Sequence, residues 1–182
     1  VTGVLRAAVV ADVDALPEVE RAAGEMFRSL GMDLVADDDD PTPQMLLGFV
    51  EAGRAWVVED GGEIAGYLLA DLVDGCAHLE QVSVHPRHAG RRLGGALVEH
   101  LAEWAAARHL PAVTLTTYRD VPWNGPYYLA LGFRWLVGDE LTPGLRAIRA
   151  EEAARGLDRW PRGCMRRELV SARGLRATAG ES

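Results

Sequence analysis

Cysteine is scarce in this chain: its 182 residues include two, Cys76 and Cys164. Two thiols so far apart have neither metal-ligand spacing nor the pattern of a disulfide framework, so free thiols in a reducing cytoplasm are expected. Long apolar runs are also missing. No stretch approaches the roughly 20 residues of a membrane span, and the first residues do not read as a secretory signal, so neither membrane nor export is expected. Positive charge is in deficit, with 27 acidic residues against 19 basic ones and a net charge of −8. Nucleic-acid affinity rests on many phosphate neutralisations, which such a balance disfavours. The same field favours a cationic ligand. Internal repeats are absent. What is present is 48% apolar sequence, enough for one domain with a real core over residues 1–170, followed by a flexible tail at 171–182.

The apolar periodicity predicts alternating strands and helices. Val4–Val10 reads as a first strand, and Asp12 as the cap of a helix from Val13 to Arg28, with Leu16, Val19, Ala23, Met26 and Phe27 on its inner side. The acidic run Asp37–Asp40 precedes a short helix over 41–52 and reads first as a solvated loop and helix start. Arg54–Glu59 and Glu63–Asp71 pair around Asp60-Gly61-Gly62, a hairpin turn. Ala77–Val84 extends the meander, with Glu80, Val82 and Val84 on one nominal face. A long helix over Arg92–His109 carries the stripe Leu93, Leu97, Leu101 and Trp104. Strands are expected at Ala112–Thr117, Phe133–Val137 and Trp160–Leu169, with helices at Pro126–Leu131 and Pro143–Leu157.

The most informative stretch is Val82–Leu97: a strand exit, a basic loop over His85–Arg91, then a helix opening near Arg92. A helix start directs several backbone amides at one point and adds partial positive charge there. Gly90, Gly94 and Gly95 permit close backbone approach, and Arg87, Arg91 and Arg92 add countercharge. The pattern suits a phosphate or pyrophosphate. It is not a P-loop, since Gly95-Ala96 stands where Lys-Ser or Lys-Thr is required, and its glycines do not fit G-x-G-x-x-G.

Ala89-Gly90-Arg91-Arg92-Leu93-Gly94 resembles the acyl-CoA pyrophosphate loop of the GNAT superfamily of N-acetyltransferases, Q/R-x-x-G-x-G/A. Two positions depart: Ala89 replaces Gln or Arg, and Arg92 replaces the middle Gly. About thirty residues later, Asn124-Gly125-Pro126-Tyr127-Tyr128-Leu129-Ala130-Leu131-Gly132-Phe133 resembles the superfamily's motif N-x-x-A-x-x-(Y/F)-Y-x-x-x-G-F. The resemblance covers roughly residues 4–169. It implies an α/β (α+β) GNAT fold, a mixed sheet of about seven strands with flanking helices, splayed between the strands at 77–84 and 112–117.

The resemblance also implies roles. Arg87, Ala89, Gly90, Arg91, Arg92, Leu93, Gly94 and Gly95 would bind the pyrophosphate. Val82, Ser83 and Val84 would offer strand amides to the pantetheine chain and the oxyanion. Tyr128 would protonate or hydrogen-bond the leaving thiolate, and Asn124 would steady cofactor or acceptor. Alone, Tyr128 reads equally as a packed aromatic and Asn124 as a helix cap. Glu80 is the candidate base for the acceptor ammonium, directly or through a water, against the plain reading of a surface glutamate. His78 is the second candidate. The Asp37–Asp40 run could form a lip that attracts an amine.

The expected activity is direct, acetyl-CoA-dependent N-acetylation of a primary amine, most simply of a small molecule, with no metal. Protein or peptide acetylation and a non-catalytic acyl-CoA sensor are the alternatives; acylation of tRNA is disfavoured by the charge. The acceptor's identity and the oligomeric state, a homodimer included, stay open.

Overall fold

The computed structural model describes residues 3–169, so the expected tail at 171–182 lies outside the described residues. Seven strands run in the order β1-β2-β3-β4-β5-β7-β6. They are β1 (Val4–Ala7), β2 (Ala55–Asp60), β3 (Glu63–Val73), β4 (Cys76–Val84), β5 (Ala112–Tyr118), β6 (Arg134–Trp135) and β7 (Arg162–Glu168). Six α-helices accompany them among the described residues: α1 (Leu16–Gly24), α2 (Asp33–Ala36), α3 (Pro43–Glu51), α4 (Leu93–Ala107), α5 (Gly125–Ala130) and α6 (Pro143–Ala154). The chain divides into two compact units. Among the described residues, one comprises 3–71 with Leu79–Glu99; the other comprises Leu72–His78 with 100–169.

In the first unit, β1, β2 and β3 form an antiparallel meander in which Ala55 faces Leu69 and Val57 faces Tyr67. These four side chains pack with Leu16 and Val19 of α1 and Leu46 of α3 in one core. Ala55–Val58 are buried without alternation, as expected for a strand covered on both faces. The β2–β3 turn needs only Gly61 and Gly62, both at positive φ (+66° and +86°), which is the requirement of a type I′ hairpin.

The helix expected over Val13–Arg28 is divided. A 3₁₀ turn spans Val10–Ala15, α1 follows, and a second 3₁₀ segment covers Glu25–Leu30. Pro17 lacks an N–H and belongs in a first turn, so α1 starts at Leu16. Asp12 therefore does not cap α1. Its carboxylate accepts from the Val9 amide at 2.8 Å and takes a bidentate bond from Arg6, at 2.7 and 2.9 Å. Met26 turns outward to solvent.

In the second unit, β5 and β7 pair antiparallel from Ala112–Glu168 to Tyr118–Arg162. The strand expected over Phe133–Val137 contracts to β6. Phe133 is buried against Tyr128, and beyond Leu136 a 3₁₀ turn begins at Gly138, whose φ is +54°. Leu136, Leu145 and Cys164 form a core with Val73, Leu141 and Ile148 around them. Cys76 and Cys164 are both buried free thiols. No helix among the described residues is long and apolar enough to cross a membrane.

Candidate active site

The basic loop leaves β4 at Val84 and makes a 3₁₀ turn over Pro86–His88. The His85 ring closes that turn, its Nδ1 accepting from the Arg87 amide at 3.2 Å. Gly90 sits at φ +77° with open space where a Cβ would lie, so its backbone conformation rather than crowding demands glycine. Arg92 adopts φ +59°, a left-handed conformation costly for an L side chain, and its carbonyl accepts from Ala96 at 3.1 Å. Arg92 is thus the N-cap of α4. The amides of Leu93, Gly94 and Gly95 follow it and have no intrahelical acceptor. The Leu93 side chain is buried, leaving its amide as what it can offer a ligand.

The three arginines differ in their commitments. Arg91 pairs with Asp60, Arg87 lies 3.7 Å from Glu63, and Arg92 makes no ion pair among the described residues. Asp60 also accepts from His88 Nδ1 at 2.9 Å. The His88 hydrogen bond, with Arg91 nearby, holds the Asp60 carboxyl below its ordinary value against the opposing effect of burial. Sequence reasoning missed Asp60 and Glu63. Asp60 was absorbed into a turn reading, and nothing local signals a partner 28 residues away.

β4 is buried from Cys76 to Leu79, and its part in the first unit then exposes Glu80. Val82 and Val84 are half-buried, whereas Ser83 is buried and accepts from Gln81 Nε2 at 2.8 Å. The Tyr67 hydroxyl, close to Ser83, donates to Glu20 on α1. Burial, with Asp40 and Asp38 nearby, pushes the Glu20 carboxyl up despite the Tyr67 bond. The acidic run is partly neutralised, since Asp37 pairs with Arg28 and Asp40 with Arg21.

In the second unit, Tyr128 is 5% exposed and packs edge-on against Tyr127 and Phe133, each at 5.6 Å between ring centroids. Burial, and to a lesser degree Tyr127, raises its phenol well above the ordinary tyrosine value, so it keeps its proton at neutral pH. Gly132 ends the α5 segment at φ +85°, as the motif's glycine should. Asn124 makes no side-chain cap to α5. Its Nδ2 donates to Thr117 Oγ1 at 2.8 Å, while its buried Oδ1 has no partner among the described residues. His78 is 1% exposed, with Nδ1 2.9 Å from Thr114 Oγ1.

Residues 18–133, well over half of the chain, match the sequence model of the acetyltransferase (GNAT) family. The chain belongs to the GNAT acetyltransferase family. Both motifs lie within the matched span, and the seven-stranded mixed sheet is the fold of this family's structures. N-acetylglutamate synthase from Neisseria gonorrhoeae, solved with coenzyme A and N-acetyl-glutamate, superposes with a TM-score of 0.69 at 15% identity. The match covers 93% of this acetyltransferase but 36% of the synthase, so the chain spans about a third of that protein's length. The ribosomal-protein-S18-alanine N-acetyltransferase of Escherichia coli gives 0.65 at 15% identity, over 93% of this chain and 96% of that one. A GNAT acetyltransferase from Brucella melitensis bound to acetyl-CoA gives 0.54 at 22% identity, over 72% and 82%. At these identities the structures support the fold. The acceptor is not carried over with it.

Proposed function

We propose that this acetyltransferase takes its acetyl group from acetyl-CoA and passes it directly to a primary amine of a small molecule. The observation that carries the donor side is the β4–loop–α4 junction. It combines the amides of Leu93, Gly94 and Gly95, the positive φ of Gly90, and Arg92, which pairs with no carboxylate among the described residues. The buried, unpartnered Asn124 Oδ1 is an acceptor in want of an N–H, which both a pantetheine amide and an amine supply. Backbone amides at Val82, Ser83 and Val84 are assigned to the pantetheine and the thioester oxygen.

Acetyl-CoA supplies an activated acyl carbon; the protein's task is proton traffic and positioning. Glu80 is exposed and is assigned to take the proton from the acceptor ammonium. The N–C bond then forms as the C–S bond breaks, and Tyr128, protonated at neutral pH, gives or shares its proton with the sulfur. Neither cysteine lies in a family motif, so no covalent acyl-enzyme is invoked. A cationic acceptor such as an amine is favoured by the net charge of −8 and by the Asp37–Asp40 run, which Arg28 and Arg21 neutralise only in part.

Isothermal calorimetry on the wild-type protein tests the donor assignment. Acetyl-CoA should bind one site per chain, and pantetheine, which lacks the pyrophosphate, should bind at least about a hundredfold more weakly, as expected for losing two or more charge-assisted contacts. Equal affinities would refute a phosphate site at this loop.

A further inference from the structure

The loop assigned to pyrophosphate is held from outside as well as by its own turn bonds. The His88 side chain is 13% exposed and the Asp60 side chain 10% exposed, so their 2.9 Å contact is shielded from water, and Arg91 reaches the same Asp60 Oδ2. Asp60 closes β2 at the hairpin and is paired across the turn with Glu63, which faces Arg87. A backbone bond from His85 to the Ala65 carbonyl, at 2.8 Å, adds the start of the loop to the same anchorage. All of these residues belong to one compact unit. The hairpin therefore touches the loop at its beginning, middle and end, and Asp60 is the point where two loop side chains meet.

We propose that Asp60 is a positioning residue for the donor site: it fixes the loop through His88 and Arg91 so that the α4 amides and Arg92 meet the pyrophosphate without an ordering cost. This rests on the donor assignment above. The arrangement has an unexpected sign, because a carboxylate is set beside a site for a polyanion. Its charge is matched by Arg91, and what remains acts through solvent and is screened by salt. Holding several loop residues in one conformation is the larger effect, since each backbone fixed in advance removes an ordering cost from binding. It also follows that Arg91 serves the loop and Arg92 the ligand.

The test compares wild type, Asp60→Asn and His88→Ala by calorimetry with acetyl-CoA and with pantetheine, and by steady-state kinetics. Asp60→Asn should weaken acetyl-CoA about tenfold and leave pantetheine unchanged. KM for acetyl-CoA should rise while kcat at saturation holds, and the weakening should persist at 0.5 M salt, where about a 4 Å screening length removes charge effects. His88→Ala breaks the same contact from the loop side and should reproduce the pattern, which keeps the proposal testable if one variant folds poorly. Equal loss for both ligands would mark Asp60 as merely structural. Tighter acetyl-CoA binding by Asp60→Asn, abolished by salt, would show its charge to be repulsive and overturn the proposal. If wild type does not discriminate acetyl-CoA from pantetheine, the donor assignment fails instead, a separate outcome.

Discussion

Tyr128 is a packed core ring and, in the proposed mechanism, also the proton donor to the leaving thiolate. Its ring is wedged between Tyr127 and Phe133, and burial raises its phenol above the ordinary tyrosine value, so the hydroxyl stays protonated at neutral pH. Tyr128→Phe retains the ring contacts, so acetyl-CoA affinity and fold should persist while turnover falls on the order of 10²-fold, as for loss of a general acid. Unchanged turnover under conditions where acyl transfer limits the rate would leave Tyr128 a packing residue alone. Glu80 is separable by pH. An alkylamine with a pKa near ~10.4 is almost wholly protonated at pH 7, so the kcat/KM defect of Glu80→Gln should be largest there and shrink toward pH 9.5. A defect independent of pH would remove Glu80 as base. Motif residues such as Tyr128, Gly132 and Asn124 were legible in the sequence because their spacing is local. Asp60, Glu63 and Glu20 were not, because their partners lie 28, 24 and 47 residues away and no periodicity links them.

At the scale of elements, α4 is bounded at both ends by left-handed residues that are not glycine: Arg92 at φ +59° before it and His109 at φ +57° after it. His109 occupies the position where helices usually end in glycine, its neighbour Leu110 bonding back to the Ala105 carbonyl at 3.0 Å. His109→Gly should therefore stabilise the protein by about 0.5–1 kcal/mol, the relief of about 1–2 kcal/mol of strain less the extra entropy of an unfolded glycine. Arg92→Gly relieves the same strain, and melting temperature should rise similarly, yet acetyl-CoA should bind about tenfold more weakly through loss of one charge-assisted contact. If Arg92→Gly binds acetyl-CoA as well as wild type, the arginine is a tolerated departure and the amides suffice. Element types were readable wherever pattern and punctuation agree, as at the Gly61-Gly62 hairpin and in α6 from Pro143. They were misread where the pattern continues through a change of helix type. The apolar spacing over Val13–Arg28 does not distinguish 3₁₀ from α turns, and only the placement of Pro17 hinted at the break.

At the scale of the whole molecule, composition and the two motifs led to the family, and the match over residues 18–133 establishes it. What composition adds is a field that favours a cationic acceptor: the chain carries −8 and contains no lysine, all 19 basic residues being arginine. Arginine stays protonated and is a poor acyl acceptor, so the described fold offers no side-chain amine of its own for acetylation. Acetyl transfer can then be followed without background from lysine self-modification. The decisive measurement is the initial rate of CoA-thiol release from saturating acetyl-CoA with a panel of small primary amines and of amine-bearing peptides, each product checked by mass. The account predicts thiol release that depends on a small primary amine and matches formation of the N-acetylated product one for one. Thiol release independent of every amine would contradict it and indicate thioester hydrolysis instead. No release with any member of either class despite tight acetyl-CoA binding would also contradict it and point to an acyl-CoA-binding sensor, and turnover confined to peptides would contradict the small-molecule acceptor.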